Sequence, residues 1–247
     1  MKKTLLLLTF LAVSGMASTS AQAAKHYVSG FGGISWMQNM DVTDTYVFAP
    51  SEDFTTNLDL GSGVALTGAI GCDYGSYRLE AEVGYQTNDL KSAGEDINGQ
   101  VINYNGPNGP GTLTRQAMRG DVSVLSLMGN GYYDFDLGSK VELYATAGIG
   151  VAQVSVHNLN STGSYSSIDP YEFTANNDPG WNLHETTLAW QVGAGIAAPI
   201  ADNIKLDLRY RYFATTDFTI PELGFYSNSV NTNVSSHSVL LGLRVEF

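Results

Sequence analysis

The chain is poor in cysteine, poor in basic residues and without long apolar runs beyond its first residues, and each shortage removes a class of protein. Its 247 residues include one cysteine, Cys72, so no internal disulfide can form and a disulfide-stapled framework is excluded. Twelve Lys and Arg stand against 24 Asp and Glu, a formal charge of −12. So acidic a surface cannot neutralise a phosphate backbone, which argues against nucleic acid as a partner. No later segment reaches the ~20 consecutive apolar residues that a membrane helix requires, so transmembrane helices are excluded. Membrane strands survive this test, because one needs only ~9–11 residues and carries its apolar side chains at every second position.

The amino terminus, MKKTLLLLTFLAVSGMASTSAQA, has two lysines, an apolar run from Leu5 to Val13 and Ala21 and Ala23 in an A-x-A arrangement. These features predict a secretory signal peptide over residues 1–23, cut after Ala23, with a single β-domain over 24–247. No cysteine stands near the cut, so no lipid anchor is expected there. Cleavage would remove Lys2 and Lys3, shifting the charge to −14 over 224 residues.

What the remaining chain does have is alternation. In YRLEAEVGY (77–85), Arg78, Glu80 and Glu82 interleave with Tyr77, Leu79, Ala81, Val83 and Tyr85. A period of two belongs to a strand, whose successive side chains point to opposite faces. Eight such segments are predicted, at about 26–38, 62–74, 77–87, 121–134, 140–154, 186–198, 204–214 and 236–247. The connections alternate strictly between short and long. Short turns fall near Gly75, at 135–139 and at 199–203; long loops span 39–61, 88–120, 155–185 and 215–235 and carry most of the acids. Loops of that length are unusual in a compact domain but normal in an outer-membrane barrel, where short turns face the periplasm and long loops the exterior. The expected fold is therefore an all-β, eight-stranded antiparallel up-and-down transmembrane β-barrel.

The charges on the polar strand faces set its sidedness. Arg78, Lys205, Arg209, Arg211 and Arg244 are matched in number by Glu80, Glu82, Glu142, Asp207 and Glu246. Ions enclosed in a narrow lumen must be paired, whereas a solvated surface need not be neutral. Turned outward, five cations would meet lipid at up to ~2–4 kcal/mol each at mid-depth, enough to cancel a typical ~5–15 kcal/mol of net stability. These ten residues are expected to form a lumen ion-pair network. On the apolar face, Tyr74, Tyr77, Tyr133 and Phe247 fall at the short-turn ends and Tyr85, Trp190 and Tyr212 towards the loop ends, the two girdles expected at lipid interfaces.

LMGNGYYDF (127–135), YATAGIGVA (144–152), AWQVGAGIA (189–197), IKLDLRYRYF (204–213) and the ending LLGLRVEF (240–247) make the chain resemble the bacterial outer-membrane barrels of the opacity-type surface antigen and small OmpA/OmpX-like group. The resemblance implies a surface role in the outer membrane, with lipid around the wall and extracellular or host partners at the loops. It also implies recognition by the barrel assembly machinery through Leu241, Leu243, Val245 and Phe247. The carboxy-terminal peptidoglycan-binding domain of full OmpA proteins is not expected here, nor is a cell-wall tether.

Other constellations have structural readings. GIG (148–150) and GAG (193–195) precede no helical pattern, so they are read as room for bulky lumen neighbours such as Tyr144, Arg209 or Arg211 and not as phosphate loops. His26, His157, His184 and His237 include candidate general bases, with Ser155 and Glu185 near in sequence, but they are read as polar rim groups. Asp169, Glu172, Asn177 and Asp178 lack EF-hand spacing and are read as a solvated loop. Cys72 is read as a small apolar residue on the lipid face. No catalytic residue, cofactor or metal is expected. A structural or adhesive surface barrel leads, since eight strands leave room only for side chains; a narrow solute channel, a rim-sited lipid-modifying enzyme and a soluble ligand-binding barrel are the alternatives.

Overall fold

The computed structural model describes residues 24–45, 53–93, 101–106, 109–114, 118–138, 140–161, 164–167, 181–220 and 230–247. The expected signal peptide lies outside them. Eight long strands form the body: β1 Lys25–Met37, β2 Asp53–Asp73, β3 Tyr77–Ala93, β4 Met118–Phe135, β5 Glu142–Ser161, β6 Trp181–Ala201, β7 Ile204–Thr215 and β8 Ser235–Glu246. Each pairs antiparallel with its neighbours in sequence, and β1 pairs with both β2 and β8, which closes the barrel. Closure removes the two free edges that an open sheet would present.

Two short turns are built by aspartate and glycine. Asp73 Oδ1 accepts from the Gly75 amide at 2.7 Å and Asp136 Oδ1 from the Gly138 amide at 2.8 Å. Gly75 and Gly138 have φ of 94° and 63°, conformations that a β-carbon would disfavour. The third short turn joins Ala201 to Ile204.

At the other end the strands run further than alternation alone indicates. β2 begins at Asp53 instead of 62, β3 ends at Ala93 instead of 87, β5 reaches Ser161 instead of 154, and β6 begins at Trp181 instead of 186. Parts of the expected loops are also strand. Met40–Thr45 forms a hairpin with the start of β2, and Val230–Thr232 bridges it to Phe218–Ile220. A second small sheet pairs Val101–Gly106, Gly109–Thr114 and Ser164–Ser167.

The wall is apolar over most of its outer face. Ile70, Leu125, Leu127, Ile149, Leu208 and Leu241 are all exposed, Ile149 at 76%. β1, whose glycines leave its faces ambiguous in sequence, resolves with Tyr27, Phe31 and Met37 buried and Val28, Ile34 and Trp36 outside.

Candidate functional site

Inside the barrel lies a tier of charge, near the short-turn end. Arg78 makes two hydrogen bonds to Asp134, Nε to Oδ2 and Nη2 to Oδ1, both 2.7 Å, the fork geometry that suits guanidinium to carboxylate. Its guanidinium carbon also lies 4.5 Å from the Tyr132 ring centre and 4.8 Å from that of Tyr144. Lys205 Nζ bridges Glu142 and Glu246, and Arg244 pairs with Glu142 as well. Glu142 therefore serves two cations.

Deeper in, Glu80 accepts from the hydroxyls of Tyr27 at 3.1 Å and Tyr132 at 2.5 Å. Glu82 Oε2 lies 2.9 Å from Arg209 Nη1, and its Oε1 accepts from Gln191 at 3.2 Å with Arg211 at 3.6 Å. Tyr144 donates to Asp207 at 2.5 Å and accepts from Arg209 Nε at 3.3 Å. Arg209 lies 4.0 Å over the Phe31 ring. The ten charged residues singled out by alternation thus all lie on the inner side, and the structure adds Tyr27, Asp134, Asn130, Tyr132 and Gln191, which charge counting had overlooked. The signal for most of these was present: Asn130, Tyr132 and Asp134 occupy alternate positions of β4, in phase with its buried face.

Aromatic rings fit the lumen because glycines face them. A β-carbon on Gly71 would lie 2.5 Å from the Tyr27 hydroxyl, and one on Gly242 equally close to Cγ of Phe31. Gly195 makes such room for Tyr144, one of the three neighbours expected, while Gly84 has Arg211 only at 3.6 Å.

Towards the loop end the lumen changes character. Met37, Leu90, Val124, Met128, Val154 and Phe213 belong to one buried apolar cluster. The residues that alternate with them are polar: Asp89 and Gln153 are exposed, Asp121 is half-buried and Ser123 is buried. In β3 and β4 the inward phase holds while the chemistry changes; β2 shifts register between Leu60 and Gly63. Below the change the barrel is apolar outside and ionic inside; above it the outer face turns polar and the apolar cluster shares the interior with buried neutral polar groups, among them Ser35 and Asn88, hydrogen-bonded at 2.8 Å. A fixed rule of polar residues inward hides this apolar cluster.

The girdle aromatics all lie on the outer wall. Tyr77 stacks edge-on with Tyr133 at 5.2 Å and Trp190 meets Tyr212 at 5.4 Å; Tyr74, Tyr85 and Phe247 are exposed. Leu241, Leu243 and Val245 follow one another on the outer face of β8, and the Phe247 amide donates to the His26 carbonyl at 2.9 Å.

The histidines are dispersed along this wall. His26 Nδ1 lies 3.4 Å from Cys72 Sγ, and His237 contacts Tyr210 Oη at 2.6 Å. His184 Nδ1 is 2.8 Å from Ser155 Oγ, with the His157 ring 5.6 Å from that of His184. Glu185 pairs with Val154 and lies on the opposite side of the sheet, so it does not complete a triad with them. Asp169, Glu172, Asn177 and Asp178 lie outside the described residues, among which no group of three or more His, Cys, Asp or Glu is arranged to hold a metal.

Known proteins agree with this architecture. The family description "Outer membrane protein beta-barrel domain" matches residues 4–247. Outer membrane protein PagN of Salmonella typhimurium is 24% identical over 96% of this chain and 95% of its own length. A candidate adhesin of Rickettsia bellii is 26% identical over 94% of this chain and 97% of its own. Among solved structures, the outer membrane protein OprG of Pseudomonas aeruginosa superposes with a TM-score of 0.52 at 12% identity, over 91% of this chain and 96% of that one.

Proposed function

We propose that this chain, which belongs to the outer membrane protein β-barrel family, is a non-enzymatic anchor that presents its loop-end strands and loops to partners outside the cell. The observation that carries the reading is the filled lumen: an ionic tier and an apolar cluster succeed one another along the axis. Eight strands enclose space only for side chains, so transport through the interior is not the task. The ionic residues hold the cylinder rigid, the girdle aromatics set its height in the bilayer, and the last residues of β8 serve as the assembly signal. What remains available to a partner is the extension beyond the change in chemistry, and exposed segments on a rigid scaffold are where recognition concentrates. Relatives named as an outer membrane protein and a candidate adhesin support a contact role.

The experiment is loop replacement. The connection between β3 and β4 is exchanged for a two-residue turn, the barrel is confirmed by its compact unboiled migration on a denaturing gel, and attachment of expressing bacteria to host or neighbouring cells is scored. Loss of attachment with the barrel intact is expected, with each of the other three long connections exchanged in turn. Full attachment after all four exchanges, or step conductance above leak in a planar bilayer, contradicts the proposal.

A further inference from the structure

Among the described residues, the outer wall carries a groove where an apolar lipid belt gives way to polar side chains. It has a volume of about 340 Å3 and spans β3 to β6, with Tyr85 and Leu125 at its lower margin. Its polar lining is Ser123, Gln153, Ser155, His157 and His184. The register fixes its height. Val83, Leu127, Val151 and Leu188 form a continuous row across β3 to β6, all apolar; the next row up holds Tyr85, Leu125, Gln153 and Thr186, and the next holds Thr87, Ser123, Ser155 and His184. The groove thus opens at the level of that change, where hydrocarbon ends and headgroups begin.

We propose that this groove binds the sugar headgroup of an outer-leaflet glycolipid, with the acyl chains lying on the Val83–Leu188 belt below. The proposal rests on the outer-membrane placement of the barrel and adds a ligand to it. The occupant is argued from continuity and chemistry. Whatever fills the groove is continuous with the lipid that covers the belt. The lining mixes donors and acceptors, a carboxamide, hydroxyls and two imidazoles, beside an exposed tyrosine ring, which suits vicinal hydroxyls and amide groups better than a single charge. Asp121 is the cross-strand partner of His157 and stands opposite Asp89. Two carboxylates beside the groove repel a phosphate and accept hydrogen bonds from sugar hydroxyls. The volume lies at the lower end of the ~300–1,000 Å3 usual for small-molecule sites. Ser155 and His184, already 2.8 Å apart, hold each other in place, which lowers the cost of ordering them around a ligand.

The test is lipid retention in native mass spectrometry of the full barrel released from detergent micelles. The probes are lipid A with its phosphates, lipid A stripped of them, phosphatidylglycerol, and the free glucosamine disaccharide. Phosphate-free lipid A is expected to remain bound to the wild type one to one, with at least tenfold weaker retention in Gln153→Ala and His184→Ala and no change in Leu206→Ala, at the short-turn end of β7. Compact unboiled migration of each variant separates loss of binding from loss of fold. Equal retention of phosphatidylglycerol, which would denote annular lipid, overturns the proposal. So does retention only when the phosphates are present, binding of the free disaccharide as tight as that of the lipid, or unchanged retention in both groove variants.

Discussion

Replacing Arg209 with leucine probes the ionic tier at its most connected point. Arg209 is 2% exposed, and its Nη1 lies 2.9 Å from Glu82, whose side chain is inaccessible to solvent, and 3.9 Å from Glu80. Arg209, Arg211, Glu80 and Glu82 form a neutral quartet. Removing Arg209 leaves it one negative charge in excess. Breaking a buried pair from one side costs about 3–5 kcal/mol because the surviving ion is stranded. Glu82 would keep Gln191 at 3.2 Å and Arg211 at 3.6 Å, so the lower figure, about 3 kcal/mol, is expected, a roughly 150-fold change in the folding equilibrium. Adding Glu82→Gln restores neutrality, and the double variant should recover more than half of the loss, the non-additive signature of coupled neighbours. Equilibrium unfolding in urea from lipid vesicles, followed by tryptophan fluorescence, measures both. A single variant within ~0.5 kcal/mol of wild type, or strictly additive losses, would refute the reasoning.

Three further outcomes follow from the packing. Gly71→Ala should lower stability by about 1–3 kcal/mol through collision with Tyr27, and in a Tyr27→Ser background the same change should cost almost nothing; urea midpoints decide. Phe213→Ala in the upper apolar cluster should cost about 3–5 kcal/mol and lower the temperature at which unboiled mobility is lost. Ile149→Arg on the outer wall, at a residue 76% exposed, should cost about 2–4 kcal/mol in vesicles if it lies near mid-depth; no loss would mean that this face does not meet lipid.

Strand number and strand faces were legible because hydrocarbon imposes one chemistry on every second residue: Leu206, Leu208 and Tyr210 against Lys205, Asp207 and Arg209 leave little choice of side. Strand ends were less legible. Residues 53–61 and 88–93 fall in the expected loops, and the feature that extends their ladders is pairing with partners distant in sequence, as Leu58 pairs with Ala93. The apolar cluster was hidden for a related reason, since a rule that holds only within the membrane gives Val122 and Val124 no place inside the barrel, where they are buried. Tyr27 escaped notice because its strand is glycine-rich, and its partner Glu80 lies 53 residues away. The Ser155–His184 contact joins positions 29 apart on neighbouring strands, and only the register of β5 on β6 brings them together.

Photolabelling from the lipid phase tests the central claim most directly. The barrel is reconstituted with a membrane-dissolved carbene precursor, irradiated, digested and mapped by mass spectrometry. The account predicts adducts at Leu206, Ile149 and Leu241 and none at Glu80 or Arg209. Adducts on the charged positions with the leucines spared would place the ions towards lipid and contradict it.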